Sequence, residues 1–188
     1  MTIEDIKNMK PPEVRKTIID FMVDNGEDRE IIEPLFVAPG YLWRMITVVQ
    51  STKVHPEGMV GNHTLKALYS LRVVNSVTLW ATLFHDIGKI KTTVVNGDKV
   101  TSYGHEKESE ALTRETLQGL RMNPMFIDRV CFIVGQHMRV KRLHEMRAAK
   151  FCKLVNYEYF ELLKEVAYAD SMAGLGDLTW YNFIEGLE

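Results

Sequence analysis

The sequence predicts an all-α fold: one helical domain over residues 1–188, carrying one small β-hairpin. Three observations predict the helical part and the hairpin. Apolar residues recur at helical spacing along most of the chain. Pro, Gly, Ser and Asn interrupt that pattern at intervals of a helix length. Only TTVVNGDKVTSY sets β-branched residues around an Asn-Gly step, Asn96-Gly97, which is a hairpin signal.

In chain order, Pro11-Pro12 opens a helix through VRKTIIDFMVDN that stops near Gly26. A short helix follows in DREIIEPLF, and Pro39-Gly40 marks a break before YLWRMITVVQST. VHPEGMVGN reads as a loop, after which Asn62 or a neighbour opens HTLKALYSLRV. Ser76 is the expected N-cap of VTLWATLFHDI, apolar almost all round and therefore central, with Gly88 as its stop. Beyond the hairpin come HEKESEALTRETLQGLR, with Leu112, Glu115, Thr116 and Gly119 on one side, then PMFIDRVCFIVGQHM, EMRAAKFCKLV and YEYFELLKEVAYADSM. Residues 1–50 are expected to form a helical extension packed on a core of 55–174.

At 188 residues the chain is long enough for one sizeable core. Its 46% apolar and 26% charged residues are those of a soluble globular protein. A formal charge of -2 supplies no global basic field for gripping long nucleic acid, yet leaves a small nucleotide open as ligand. Cys131 and Cys152 stand alone, Cys131 within an apolar run, which suggests a buried thiol and a reducing compartment. The first residues, MTIEDIKNMKPPEV, lack an apolar signal region, and no stretch approaches about 20 apolar residues. The expectation is a cytoplasmic protein with no membrane partner; the sequence leaves its oligomeric state open.

The chemistry lies in the histidines. His85-Asp86 ends the apolar helix, where a buried aspartate is costly unless a cation compensates it. His63 precedes another apolar helix, and Asp170 lies at the end of the last long one. Each alone reads as an ordinary polar residue at a helix end, and a lone His-Asp pair is commonly structural. Their joint placement on different helices also fits four helices converging on one divalent ion. Mixed nitrogen and oxygen donors suit Mn, Fe, Co, Ni or Zn, with Mg less favoured. His105 and His137, taken alone, are equally surface or satisfied core histidines.

The stretches HPEGMVGNHTLKAL, LWATLFHDIGKIKTT, YGHEKESEAL, RVCFIVGQHM and AYADSMAG, in that order, resemble the HD domain of multifunctional CCA-adding tRNA nucleotidyltransferases. The resemblance runs from about His55 to Gly174. It implies that His63, His85, Asp86 and Asp170 are metal ligands, and that the chain hydrolyses phosphomonoesters or phosphodiesters, including 2′,3′-cyclic nucleotides. It further implies a second metal position at His105 and His137, with Asp86 bridging. Nothing here resembles the nucleotidyltransferase head, so the expectation is a stand-alone HD domain that does not add CCA.

The expected mechanism uses a divalent ion that lowers the pKa of a water and polarises a phosphoryl oxygen, with Asp86 orienting the nucleophile. Lys89 either neutralises charge on the phosphoryl group or complements a helix C-terminus. His55 either contacts substrate or belongs to a surface turn. Arg139, Lys141, Arg142 and Arg147 form a solvated face or a phosphate-binding rim, with Arg139 and Arg142 as candidate substrate contacts. Trp80 and Phe84, at i and i+4, suggest core packing more than base stacking. On this reading Asp86→Ala ends hydrolysis without cost to the metal-free fold. Two rival functions stay open: a (deoxy)nucleoside mono- or triphosphate phosphohydrolase, and a nucleotide-binding module without turnover.

Overall fold

The computed structural model describes residues 5, 6, 8–38 and 40–186. Pro39, and with it half of the expected Pro-Gly break, lies outside the described residues, as do residues 1–4 and 7 of the N-terminal stretch. Helix α1, Pro11–Asp24, starts with proline at its first position. There the Lys10 amide donates to Glu13 Oε2 at 2.7 Å, satisfying one of the donors a helix start leaves free. Helix α2, Arg29–Leu35, is capped by the Asp28 side chain.

Helix α3, Tyr41–Ile46, is shorter than the expected YLWRMITVVQST. The β-branched run Thr47-Val48-Val49 leaves the helix, and Val49 bridges Met59. The Gln50 amide also donates to the Gly58 carbonyl at 2.9 Å, which closes the 50–58 loop carrying His55 and Glu57.

Helix α4, Val60–Ser70, begins two residues before Asn62. Gly61, read from sequence as loop punctuation, is instead a contact point. A Cβ there would lie 2.9 Å from the Ile46 backbone, so only glycine lets α3 and α4 approach this closely. Helix α5, Ser76–Phe84, is capped by Asn75, not Ser76, in a reciprocal pair with Thr78.

A short helix α6, Lys89–Thr92, follows the His85–Gly88 turn. In the hairpin β1, Val94–Asn96, pairs antiparallel with β2, Lys99–Thr101, and Asn96 faces Lys99. The turn is therefore Gly97-Asp98, one residue later than the Asn-Gly signal indicates. Only its first position takes a positive φ, at Gly97 (56°), the pattern of a turn with glycine leading.

Helix α7, His105–Gly119, buries His105, Ser109, Leu112, Thr113 and Leu117. Glu115 and Gly119, expected beside Leu112, are exposed. The buried stripe shares only Leu112 with the expected face, which is therefore displaced around the helix. Helix α8, Pro124–Val140, a 3-10 turn at Leu143–Glu145, and helices α9, Ala148–Val155, α10, Phe160–Ala173, and α11, Thr179–Glu185, complete the order.

Helix α4 packs on α10, α7 on α8, and α5 against α8 and α10, while α1 lies on α4. One contiguous apolar cluster joins them, with Trp80 and Phe84 buried at its centre. Those two rings stack with centroids 5.8 Å apart, and the Trp80 indole donates to Glu27. They serve the core. At the C-terminus Trp180 is buried and donates to Ser171, so α11 covers an apolar edge. Cys131 is buried and its thiol is pushed up to about 11 by burial, whereas Cys152 is exposed. No described helix is long and apolar enough to cross a membrane.

Candidate metal centre

Four helix ends meet where α4, α5, α8 and α10 pack together. Helix α4 brings His63 in its first turn, and the turn after α5 brings His85 and Asp86. Asp170 comes from the last turn of α10. All four are buried. His63 Nε2 lies 2.9 Å from Asp170 Oδ1 and 3.8 Å from Asp86 Oδ2. His85 Nε2 lies 3.3 Å from Asp86 Oδ2 and 3.9 Å from Asp170 Oδ1. The four predicted residues therefore stand together.

His105 opens α7 and His137 sits in the last turn of α8. Their Nε2 atoms are 3.3 Å apart, and His105 Nε2 is 3.2 Å from Asp86 Oδ1. One set of donors is thus His63, His85 and Asp170, a second is Asp86, His105 and His137, and within each set the donors lie within 4.8 Å of one another. Asp86 faces the first set with Oδ2 and the second with Oδ1.

Gly88 makes this second set geometrically accessible. A Cβ at Gly88 would meet the His105 carbonyl at 2.3 Å and the Ser109 amide at 2.5 Å. Its own amide donates to Ser109 Oγ. The glycine lets the His-Asp turn lie directly on the start of α7. Gly88→Ala is expected to cost about 1–3 kcal/mol in stability through overpacking, measured as a lower urea midpoint at unchanged slope.

The backbone fixes which nitrogen faces inward. His85, His105 and His137 each turn Nδ1 toward the carbonyl three residues earlier, on Thr82, Ser102 and Val134, at 2.7 to 2.8 Å. Each Nε2 is thereby directed at the carboxylates, the orientation that metal-binding histidines need. His85 Nε2 is buried without a hydrogen-bond partner. Such an orphan is costly in a protein interior, and an imidazole lone pair beside two carboxylates suits a divalent transition ion. The donor set therefore fits a metal; His63, His85, Asp86 and Asp170 would hold one ion, and Asp86, His105 and His137 a second.

The electrostatics follow from burial and close neighbours. Burial raises Asp86, but Lys89 and His85 overcome it and hold the carboxyl well below the usual range. Lys141 and His63 do the same for Asp170 against its burial. Burial pushes His137 down to about 3, leaving it neutral. His63, despite its burial, is raised by Asp170 and Glu57.

Lys89 is buried and donates to Asp86 Oδ2 at 2.7 Å and to Gln50. It starts the short helix α6, just past the His85–Gly88 turn that follows α5, and its ammonium goes to side chains. His55 lies at the edge of the cluster, its ring centroid 4.7 Å from that of His63. Arg139, Arg142 and Arg147 are exposed. Arg139 bonds Gln136, whereas Lys141 alone of that basic run reaches the centre, 2.7 Å from Asp170 Oδ2.

Two further residues belong here that sequence reasoning left out. Glu57 accepts from His63 Nδ1 at 2.5 Å and faces His55 Nδ1 at 3.1 Å. Lys66 Nζ lies 3.9 Å from its other oxygen. The signal was present in the HPEG loop, a charged residue beside a histidine, but nothing in the loop's composition showed that Glu57 is buried.

Buried His and Asp donors at converging helix ends suit a divalent ion, and with the HD domain match they define a member of a metal-dependent phosphohydrolase superfamily. The chain belongs to the HD domain family, whose model matches residues 60–173, more than half of its length. It is 30% identical over 114 residues to a multifunctional CCA protein of Alkalilimnicola ehrlichii, covering 60% of this chain and 27% of that one. It is 27% identical over 143 residues to a multifunctional CCA protein of Azoarcus sp., covering 71% of this chain and 34% of that one. The chain thus spans about a third or less of these relatives. No solved structure matches it.

Proposed function

We propose that this chain hydrolyses small nucleotides bearing a terminal or cyclic phosphate, 2′,3′-cyclic monophosphates among them, in a divalent-metal-dependent reaction. The observation that carries this reading is the pair of donor sets with Asp86 facing both, and His85 Nε2 buried between two carboxylates without a hydrogen bond. A bound ion would supply Lewis acidity and a hydroxide at neutral pH. The residues supply the rest. Asp86 and Asp170 hold negative charge where burial alone would neutralise them, and the histidines keep their Nε2 atoms aimed inward. Lys89, fixed on Asp86, places a positive charge beside the reacting phosphate. Likeness to multifunctional CCA proteins supports a nucleotide as substrate. A formal charge of -2 supports a small one over a polymer, and two lone cysteines support a cytoplasmic setting.

The test is phosphate release from nucleoside mono- and triphosphates and 2′,3′-cyclic monophosphates. Protein stripped by chelator would be reloaded with Mn, Ni, Co, Fe, Zn or Mg. Turnover that requires the ion is expected; none with any ion overturns the reading. An oligonucleotide cleaved more than about tenfold faster than every mononucleotide, a gain of about 1.4 kcal/mol, overturns the preference for small substrates.

Glu57 would orient His63 from behind, as carboxylates do for metal-bound histidines. Glu57→Gln is expected to weaken Mn binding about 10- to 100-fold in a calorimetric titration while the helical circular-dichroism spectrum stays unchanged. Unaltered affinity would remove Glu57 from the site.

A further inference from the structure

Both ligand carboxylates already carry a lysine, and the two lysines differ. Lys89 is buried at 7% side-chain exposure and holds Gln50 as well as Asp86. Lys141 is 22% exposed and has Asp170 as its ion-pair partner among the described residues. His55, at 23%, is the other part-exposed side chain of the cluster, while His63, His85, Asp86, His105 and Asp170 are at 9% or less. Solvent, and so a ligand, meets the centre beside His55 and Lys141.

Charge balance says what Lys141 does there. Asp86 and Asp170 are offset by Lys89 and Lys141 at 2.7 Å each. Were those carboxylates to hold a divalent ion, that compensation would no longer fall to the lysines, and each would be left facing a like charge. Lys89 keeps the Gln50 oxygen and is walled in. Lys141 sits at the end of α8, one turn beyond His137, on a flexible stem that stays partly in solvent while its ammonium meets Asp170. We propose that Lys141 is a substrate-binding residue that exchanges Asp170 for the phosphate of the incoming substrate. This rests on the metal-dependent reading above. It assigns to Lys141 the anion recognition for which the sequence nominated Arg139 and Arg142, whose side chains are exposed in this structure.

The experiment titrates inorganic phosphate into the Mn-loaded protein by calorimetry and measures KM and kcat for a nucleoside monophosphate. Wild type is compared with Lys141→Met and Lys141→Arg. Loss of one charge-assisted contact is expected to weaken phosphate binding and raise KM by about tenfold or more in Lys141→Met, with kcat changed far less. Mn affinity should hold or rise, since a competing cation is gone, and Lys141→Arg should recover most of the phosphate affinity. Lys141→Gln gives the same reading if the methionine variant does not fold.

A purely structural ion pair predicts the opposite pattern: a lower melting temperature of metal-free Lys141→Met, with the phosphate affinity of the Mn-loaded form unchanged. That result overturns the proposal, as does a wild-type Mn form that binds no phosphate. Lys141-dependent phosphate binding without hydrolysis of any ester would instead leave it standing and overturn the proposed activity.

Discussion

Asp86→Asn is expected to lower phosphate-ester hydrolysis by about a thousandfold or more, about 4 kcal/mol of transition-state stabilisation, with the fold in place. Among the described residues, Asp86 is the one whose two oxygens face both donor sets, at 3.3 Å from His85 and 3.2 Å from His105. An amide at this position offers a weaker, neutral oxygen to a metal and cannot take a proton from a water. The asparagine is the informative variant because the alanine is not benign here. Lys89 is buried and Asp86 is the carboxylate that compensates it. Asp86→Ala leaves that ammonium with the Gln50 oxygen alone, whereas asparagine keeps an oxygen for it to donate to, and breaking a buried pair from one side costs about 3–5 kcal/mol. This expected cost stands against the sequence expectation that Asp86→Ala need not lower the stability of the metal-free protein. Steady-state turnover with Mn, beside thermal melts of the metal-free proteins, checks both statements. Asp86→Asn keeping a tenth or more of wild-type turnover would exclude Asp86 from the chemistry.

The helices and the ligand set were legible for different reasons. Apolar periodicity reports burial directly, so α5 and α8 could be located from composition alone. Their ends could not, because caps and close contacts depend on what lies across the interface. Asn75 displaces Ser76 as the cap because Thr78 reciprocates. Gly61 sits inside a helix because α3 runs against it. At the centre, His63, His85, Asp86 and Asp170 were visible as metal-binding residue types at helix ends. Glu57 and Lys141 were less so, since their roles come from partners 6 and 29 positions away, His63 and Asp170. A glutamate in a loop and a lysine in a basic run look solvated until the chain is folded. The same holds for the three Nδ1-to-carbonyl bonds, which set the direction of each imidazole and leave no mark on the sequence.

His85→Leu is expected to abolish the metal-induced rise in melting temperature while changing the metal-free melting temperature by only a few degrees. His85 Nε2 is buried without a hydrogen-bond partner, and with no ion to meet it such burial would cost about 1–3 kcal/mol. Leucine fills much of the same space and removes that nitrogen, so the gain offsets part of the packing error and the lost bond to Thr82. In wild type, an ion at about a hundred times its dissociation constant contributes about 2.7 kcal/mol. For a chain of this size that corresponds to about 5–10 °C. The leucine variant lacks the nitrogen that faces both Asp86 and Asp170, so the first donor set falls below a workable number. Scanning calorimetry with and without Mn, Ni or Zn, each held in excess over chelator, reads this directly. A full shift in His85→Leu would place the ion elsewhere, and no shift in wild type with any of the three would remove the metal from this centre.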